Sequence, residues 1–233
     1  MNTVDRGLVC VSVAAVDAAA VIASVRPVLS LADVVEIRLD AMLVPQIEPC
    51  VAALDRPLLV TNRPRWEGRL FAGSEAECVD QLCAAVQAGA RYVDIELRTN
   101  AALRSRLIGA ARDRGARVIV SSHDFAGTPP AATLLATLHQ MRASGADLGK
   151  IVTTATNADE ALRVLAVQGE AKTLHFPLSA FAMGEPGRIT RLASLYLGGA
   201  MTYASLDEHQ ATAPGQLSVR HLRALITLFE QRP

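Results

Sequence analysis

Eight short runs of apolar and β-branched residues recur along the chain, most of them followed by a stretch with apolar positions three or four residues apart. The runs are VCVSVA (9–14), VVEIRLD (34–40), PLLVTNR (57–63), YVDIEL (92–97), RVIVSSHD (117–124), LGKIVTTA (148–155), KTLHFPLS (172–179) and AMTYASL (200–206). Runs of this length and Val/Ile content predict buried strands. The Ala/Leu-rich segments between them, such as 17–30, 74–90 and 157–169, predict helices, and several end in Gly, which accepts the left-handed conformation that closes a helix. Between the second and third runs the segment is short and interrupted by proline, so a helix is most weakly signalled there. Alternation at a pitch of roughly 25–30 residues implies parallel βαβ units, and eight of them imply closure into a single-domain (β/α)8 TIM barrel spanning residues 1–233. An open doubly wound sheet would more often place a glycine-rich phosphate turn after its first strand, and VCVSVAAVDAAA has none.

Polar residues interrupt this pattern in a regular way. Glu36, Arg38 and Asp40 alternate with Ile37 and Leu39; Thr61 and Arg63 end the third run; Asp94 and Glu96 share a face of the fourth; Ser121 and His123 end the fifth; Lys150 lies in the sixth. In a barrel, alternate residues point inward, and the C-terminal strand ends carry the active site. Ionisable groups gathered there are costly unless they pair or do chemistry. Asp94, Glu96, Glu36 and Asp40 could instead hold a hard cation such as Mg²⁺, but the neighbouring arginines and lysine already supply positive charge, so no metal and no cofactor are expected.

Composition sharpens one point and closes several others. Of the 23 basic residues only Lys150 and Lys172 are lysines. An amine can give up its proton and attack a carbonyl where a guanidinium cannot. Lys150, inside a strand beside other cations, suits imine chemistry, and His123, ending the preceding strand, suits proton transfer near neutral pH. Lys172 is expected to open the seventh strand on the opposite, stability face. A net charge of zero offers no case for a nucleic-acid or anionic-membrane partner. The N-terminal residues lack the layout of a secretory leader, no apolar run approaches a membrane span, and the four cysteines show no C-x-x-C spacing, so a cytoplasmic protein with free thiols is expected.

The segments EIRLD, TNRPRWEG, YVDIEL, SSHDFAGTP, GADLGKI, AMGEPGRITRL and ATAPGQLS resemble, in order and spacing, the type I 3-dehydroquinate dehydratases over Val9–Phe229. That resemblance implies an imine between Lys150 and the C3 ketone of 3-dehydroquinate. It makes His123 the acid–base group for syn elimination to 3-dehydroshikimate, oriented by Glu67. It places Glu36, Arg38, Arg63 and Arg191 on the substrate's hydroxyls and carboxylate, with Ser12, Thr212, Gln216 and Met183 completing the pocket, and it implies a homodimer. The chain departs from the family's usual residues at Arg69, where Gly is common, at Thr212, where Ser is usual, and at Ser122. Another Schiff-base barrel, an aldolase or transaldolase, and a silent metabolite-binding relative remain as alternatives.

Overall fold

The computed structural model describes residues 6–231; Met1–Asp5 and Arg232–Pro233 of the expected domain lie outside them. Its strands are β1 (Leu8–Val13), β2 (Val34–Arg38), β3 (Leu58–Thr61), β4 (Tyr92–Glu96), β5 (Arg117–His123), β6 (Leu148–Thr154), β7 (Leu178–Met183) and β8 (Met201–Ser205). The helices are α1 (Ala18–Val25), α2 (Glu48–Ala53), α3 (Glu75–Ala88), α4 (Ala101–Asp113), α5 (Ala131–Ala143), α6 (Ala158–Thr173), α7 (Arg188–Tyr196) and α8 (Val219–Glu230). Neighbouring strands pair in parallel from β7 through β1, and β1 pairs with β8. The last seam is bridged by Ala200 N donating to Leu178 O at 2.8 Å and Met201 N to Ser179 Oγ at 3.1 Å. The result is the expected (β/α)8 barrel.

Two apolar layers hold it. Outward strand residues such as Val11, Ile37, Val93, Val120 and Ile151 pack beneath the helices. Inward, Cys10, Val34, Leu59, Tyr92, Ile119, Leu148 and Met201 fill the barrel floor. Two residues further along β1 to β6 the inward positions become Ser12, Glu36, Thr61, Asp94, Ser121 and Lys150, all buried. The period of two thus carries these six strands from an apolar floor to a polar upper layer, whereas β7 turns Phe181 and Met183 inward.

Local chemistry sets the helix ends. Ser74 and Glu77 form a reciprocal capping box on α3, and Gly89 closes it with φ 111°. Pro27 lacks a backbone N–H, and the chain tightens there into a 3-10 segment at Arg26–Leu31.

The seventh unit departs from expectation. The tract 172–179 is not a strand from its start: α6 continues through Gly169 to Thr173, and β7 begins at Leu178. Lys172 therefore belongs to the last turn of α6, with its stem over Gly198, rather than to the first residue of a strand. His175, expected as a strand residue, takes φ 51° in the turn, where Phe176 N donates to Ala171 O at 3.0 Å. Val164, Val167, Gln168 and Ala171 bury one face of α6, and that packing outweighs the helix-ending tendency of Gly169. Two smaller differences follow the same theme. Strand β2 ends at Arg38 and a 3-10 turn carries Asp40, and β3 ends before Arg63.

Candidate active site

At the C-terminal mouth of the barrel lies a cavity of about 470 Å³. It is bordered by Lys150, His123, Glu67, Glu36, Arg38, Arg63, Met183, Arg191, Thr212 and Gln216. Of the residues that the family resemblance assigns to the site, Ser12 alone does not border it. It is fully buried beside Glu36, its register partner in the same layer, and its hydroxyl donates to that carboxylate.

Lys150 projects inward from β6 between Leu148 and Val152. Its Nζ lies 3.2 Å from Asp94 Oδ2, 3.8 Å from Glu36 Oε1 and 3.9 Å from the centre of the Tyr203 ring. Lys150 as a whole is only 5% exposed and borders the cavity. Burial disfavours both neighbouring carboxylates, but the cations around them prevail. Lys150 and Arg38 hold Glu36 below the usual range, and Arg63 and Lys150 hold Asp94 well below it.

Arg63 ties the acidic side of the site together. Nη2 lies 3.0 Å from Asp94 Oδ2, while Nη1 lies 2.6 Å from Glu96 Oε1 and donates to Ser121 Oγ at 2.6 Å. Arg38 forms a two-pronged pair with Asp40, at 2.9 and 2.7 Å. Both arginines border the cavity with part of their donor set already engaged by carboxylates of the protein.

His123 ends β5 two residues beyond the Ser121–Lys150 match, so imidazole and amine enter the cavity from adjacent strands. Its Nδ1 is 3.2 Å from Glu67 Oε2, out of line for a good hydrogen bond, and neither atom has another partner. Phe125 stacks alongside, with ring centres 6.1 Å apart and planes at 15°. Burial, reinforced by Arg63 and Lys150, pushes the imidazole well below its ordinary value, so it is neutral at physiological pH and able to accept a proton. Burial raises Glu67 to about 7 against the pull of Arg63 and Arg98.

Arg191 differs from the other two arginines. It comes from α7, is 2% exposed, lies over the Phe181 ring at 4.7 Å, and donates through Nη2 to Pro214 O at 3.0 Å. Nε has no partner, and burial alone lowers the group to about 10. No carboxylate of the described residues pairs with it. In the loop after β8, Gln216 Oε1 accepts from Thr212 N at 2.8 Å, Thr212 Oγ1 at 3.2 Å and Ala213 N at 3.2 Å. That leaves the Gln216 amide N–H groups as the donors available to the cavity. The arrangement combines a buried amine, a neutral imidazole and an anion-seeking arginine around one cavity.

A sequence model of the type I 3-dehydroquinases matches residues 9–233. The chain belongs to the type I 3-dehydroquinase family. A 3-dehydroquinate dehydratase of Desulfotalea psychrophila is 43% identical over 198 residues, covering 85% of this chain and 88% of that protein. The type I 3-dehydroquinate dehydratase of Clostridium difficile, solved with covalently modified comenic acid, superposes with a TM-score of 0.87 at 26% identity, covering 97% of this chain and 92% of that one. The Enterococcus faecalis 3-dehydroquinate dehydratase gives 0.84 at 29%, covering 97% and 95%.

Within this family member, sequence reasoning passed over Tyr203, Phe181, Val152, Phe125 and Arg69 as cavity residues, and Asp94 as the carboxylate nearest the amine. The signal for three of them was available. Val152 is two residues beyond Lys150, Phe181 two before Met183, and Tyr203 sits in the inward phase of β8. Phe125 and Arg69 come from loops, where no periodicity marks direction.

Proposed function

We propose that this protein dehydrates 3-dehydroquinate to 3-dehydroshikimate through an imine on Lys150. Once it has given up its proton, the Lys150 amine adds to the C3 ketone and water leaves, forming a C=N bond that makes the neighbouring C2 proton acidic. His123, neutral and beside Lys150 on the next strand, takes that proton, and the electron pair is held as an enamine. The resulting imidazolium returns the proton to the C1 hydroxyl, which departs as water while the C1–C2 double bond forms. Hydrolysis of the product imine then frees Lys150. Glu67 orients His123 and stabilises its charged form; Asp94 and Glu36 offset charge at the amine; Arg191 and the Gln216 amide receive the substrate carboxylate; Arg38 and Arg63 set the wall that faces its hydroxyls, with Met183 and Thr212 beside them.

The observation that carries this reading is the pairing of a buried strand lysine and a strand-end histidine in one chamber whose buried Arg191 meets no carboxylate among the described residues. Borohydride reduction in the presence of 3-dehydroquinate should add one ligand mass at Lys150 and none at Lys172. Labelling of Lys172, or no adduct, would count against it. The four unbridged cysteines support a reducing, cytoplasmic setting, and the family supports a homodimer, which sedimentation analysis would test.

A further inference from the structure

Arg69 has no part in the scheme above, yet it spans the mouth of the site. It follows Glu67 and Gly68 in the loop after β3. Gly68 has φ 75°, and a Cβ there would come within 3.0 Å of the Phe125 ring, so the loop turns tightly against the ring that stacks on His123. The turn sends Arg69 across to the loop after β8, where Nη2 donates to Thr212 O, 143 positions away in the chain. The half-buried guanidinium borders two cavities at once. On one side is the inner chamber of about 470 Å³; on the other is an outer cleft of about 850 Å³ with Asp40, Leu206 and Gln210. Burial and the nearby charge of Arg38 both act against the Arg69 cation, so its position is not one a free surface arginine would choose. The carbonyl it holds belongs to the residue whose N–H and hydroxyl both bond Gln216, while Arg191 grips Pro214 in the same loop from below.

We infer that Arg69 is a positioning residue: it latches the loop after β8 to the loop that carries Glu67, walls the inner chamber off from the outer cleft, and so holds Gln216 in place to receive substrate. This role in turnover rests on the proposed dehydration, whereas the latch itself does not.

Two measurements on the full chain test it, on Arg69→Ala and on Arg69→Lys, which keeps a donor able to reach the carbonyl. Hydrogen exchange on ligand-free protein should show amides of residues 207–217 exchanging about tenfold faster or more in Arg69→Ala, with the barrel strands unchanged. Steady-state kinetics with 3-dehydroquinate should show KM raised about tenfold, the lower end of losing one charge-assisted hydrogen bond, and kcat moved by less than about threefold. Arg69→Lys should recover part of both effects. Unchanged loop exchange overturns the latch, including where KM rises, since Arg69 would then be touching substrate directly. Faster exchange with an unchanged KM, or exchange quickened across the whole barrel, overturns the positioning role. A wild-type chain that fails to turn over 3-dehydroquinate removes the proposed function and leaves the exchange experiment to decide the latch.

Discussion

Replacing Arg191 by Met separates holding the substrate from transforming it, and the structure allows both effects to be sized. Burial without a carboxylate partner lowers this arginine to about 10. At about 1.4 kcal/mol per pH unit, that corresponds to roughly 3 kcal/mol spent on keeping the charge in the fold. Against it stand a charge-assisted hydrogen bond to Pro214 O, worth about 1.5–3 kcal/mol, and the stacking over Phe181, worth about 2 kcal/mol when desolvated. Methionine keeps much of the apolar stem and removes all three terms together. Gain and loss nearly cancel, and the ligand-free protein should change in stability by no more than about 2 kcal/mol. Binding has no such offset. The substrate carboxylate loses a buried, charged donor with an unpaired Nε, so KM should rise about ten- to a hundredfold while kcat moves much less. Urea unfolding followed by circular dichroism gives the first number, and steady-state kinetics from product absorbance gives the second. A collapse of kcat at constant KM would place Arg191 in the transition state. A stability loss beyond about 4 kcal/mol would make it the anchor of its loop rather than a waiting anion receptor. Either result refutes the reasoning.

Three further outcomes follow from the same geometry. His123→Ala should still form the imine but stall at elimination, with kcat down by about 10²–10⁴-fold or more and a stable adduct mass on the intact protein; near-normal turnover would exclude His123 as the base. Because His123 is held below its ordinary value, activity should persist as pH falls through 6.5, the usual histidine value, and fail only at lower pH. Glu67→Gln should reduce the maximal rate, yet leave that acid limb nearly in place, because Glu67, raised to about 7, is already largely protonated at the pH where the limb falls. Glu67 itself, raised to about 7 in the fold from about 4.3 unfolded, contributes stability that is present below about 4.3 and lost as pH rises through about 7. The Gln variant should lose that portion of the stability slope in urea titrations across this window. Arg63→Met should cost about 3–5 kcal/mol in urea unfolding, because it leaves Asp94 and Glu96 buried without their shared cation; a change under about 1 kcal/mol would show that Lys150 or protonation replaces it.

The barrel was readable because its information is local and repeated. Most strands announce themselves by buried β-branched residues, and the alternation of two assigns Lys150, His123, Glu36 and Arg63 to the interior from the sequence alone. Boundaries were less legible where two local tendencies conflict. The tract KTLHF has strand-like composition, yet its first residues complete α6 because Gln168 and Ala171 find a buried face there. Lys172 changed element for that reason.

Partnership was a different kind of information. The sequence alone determined the order of the elements, the direction of the inward side chains, and the single lysine placed among strand-end charges. Tertiary structure decided which of those charges are spent. Arg63 and Arg38 are engaged by Asp94, Glu96 and Asp40, while among the described residues Arg191 stands without a carboxylate. Ser12 is withdrawn behind Glu36, and Asp94 is the carboxylate nearest the amine. Arg69 reaches a carbonyl 143 positions away. Spacing along a strand sets where a side chain starts and which way it points. The distance between two charged tips also depends on strand stagger around the barrel, on burial, and on loops with no period, and these exist only once the chain has closed on itself.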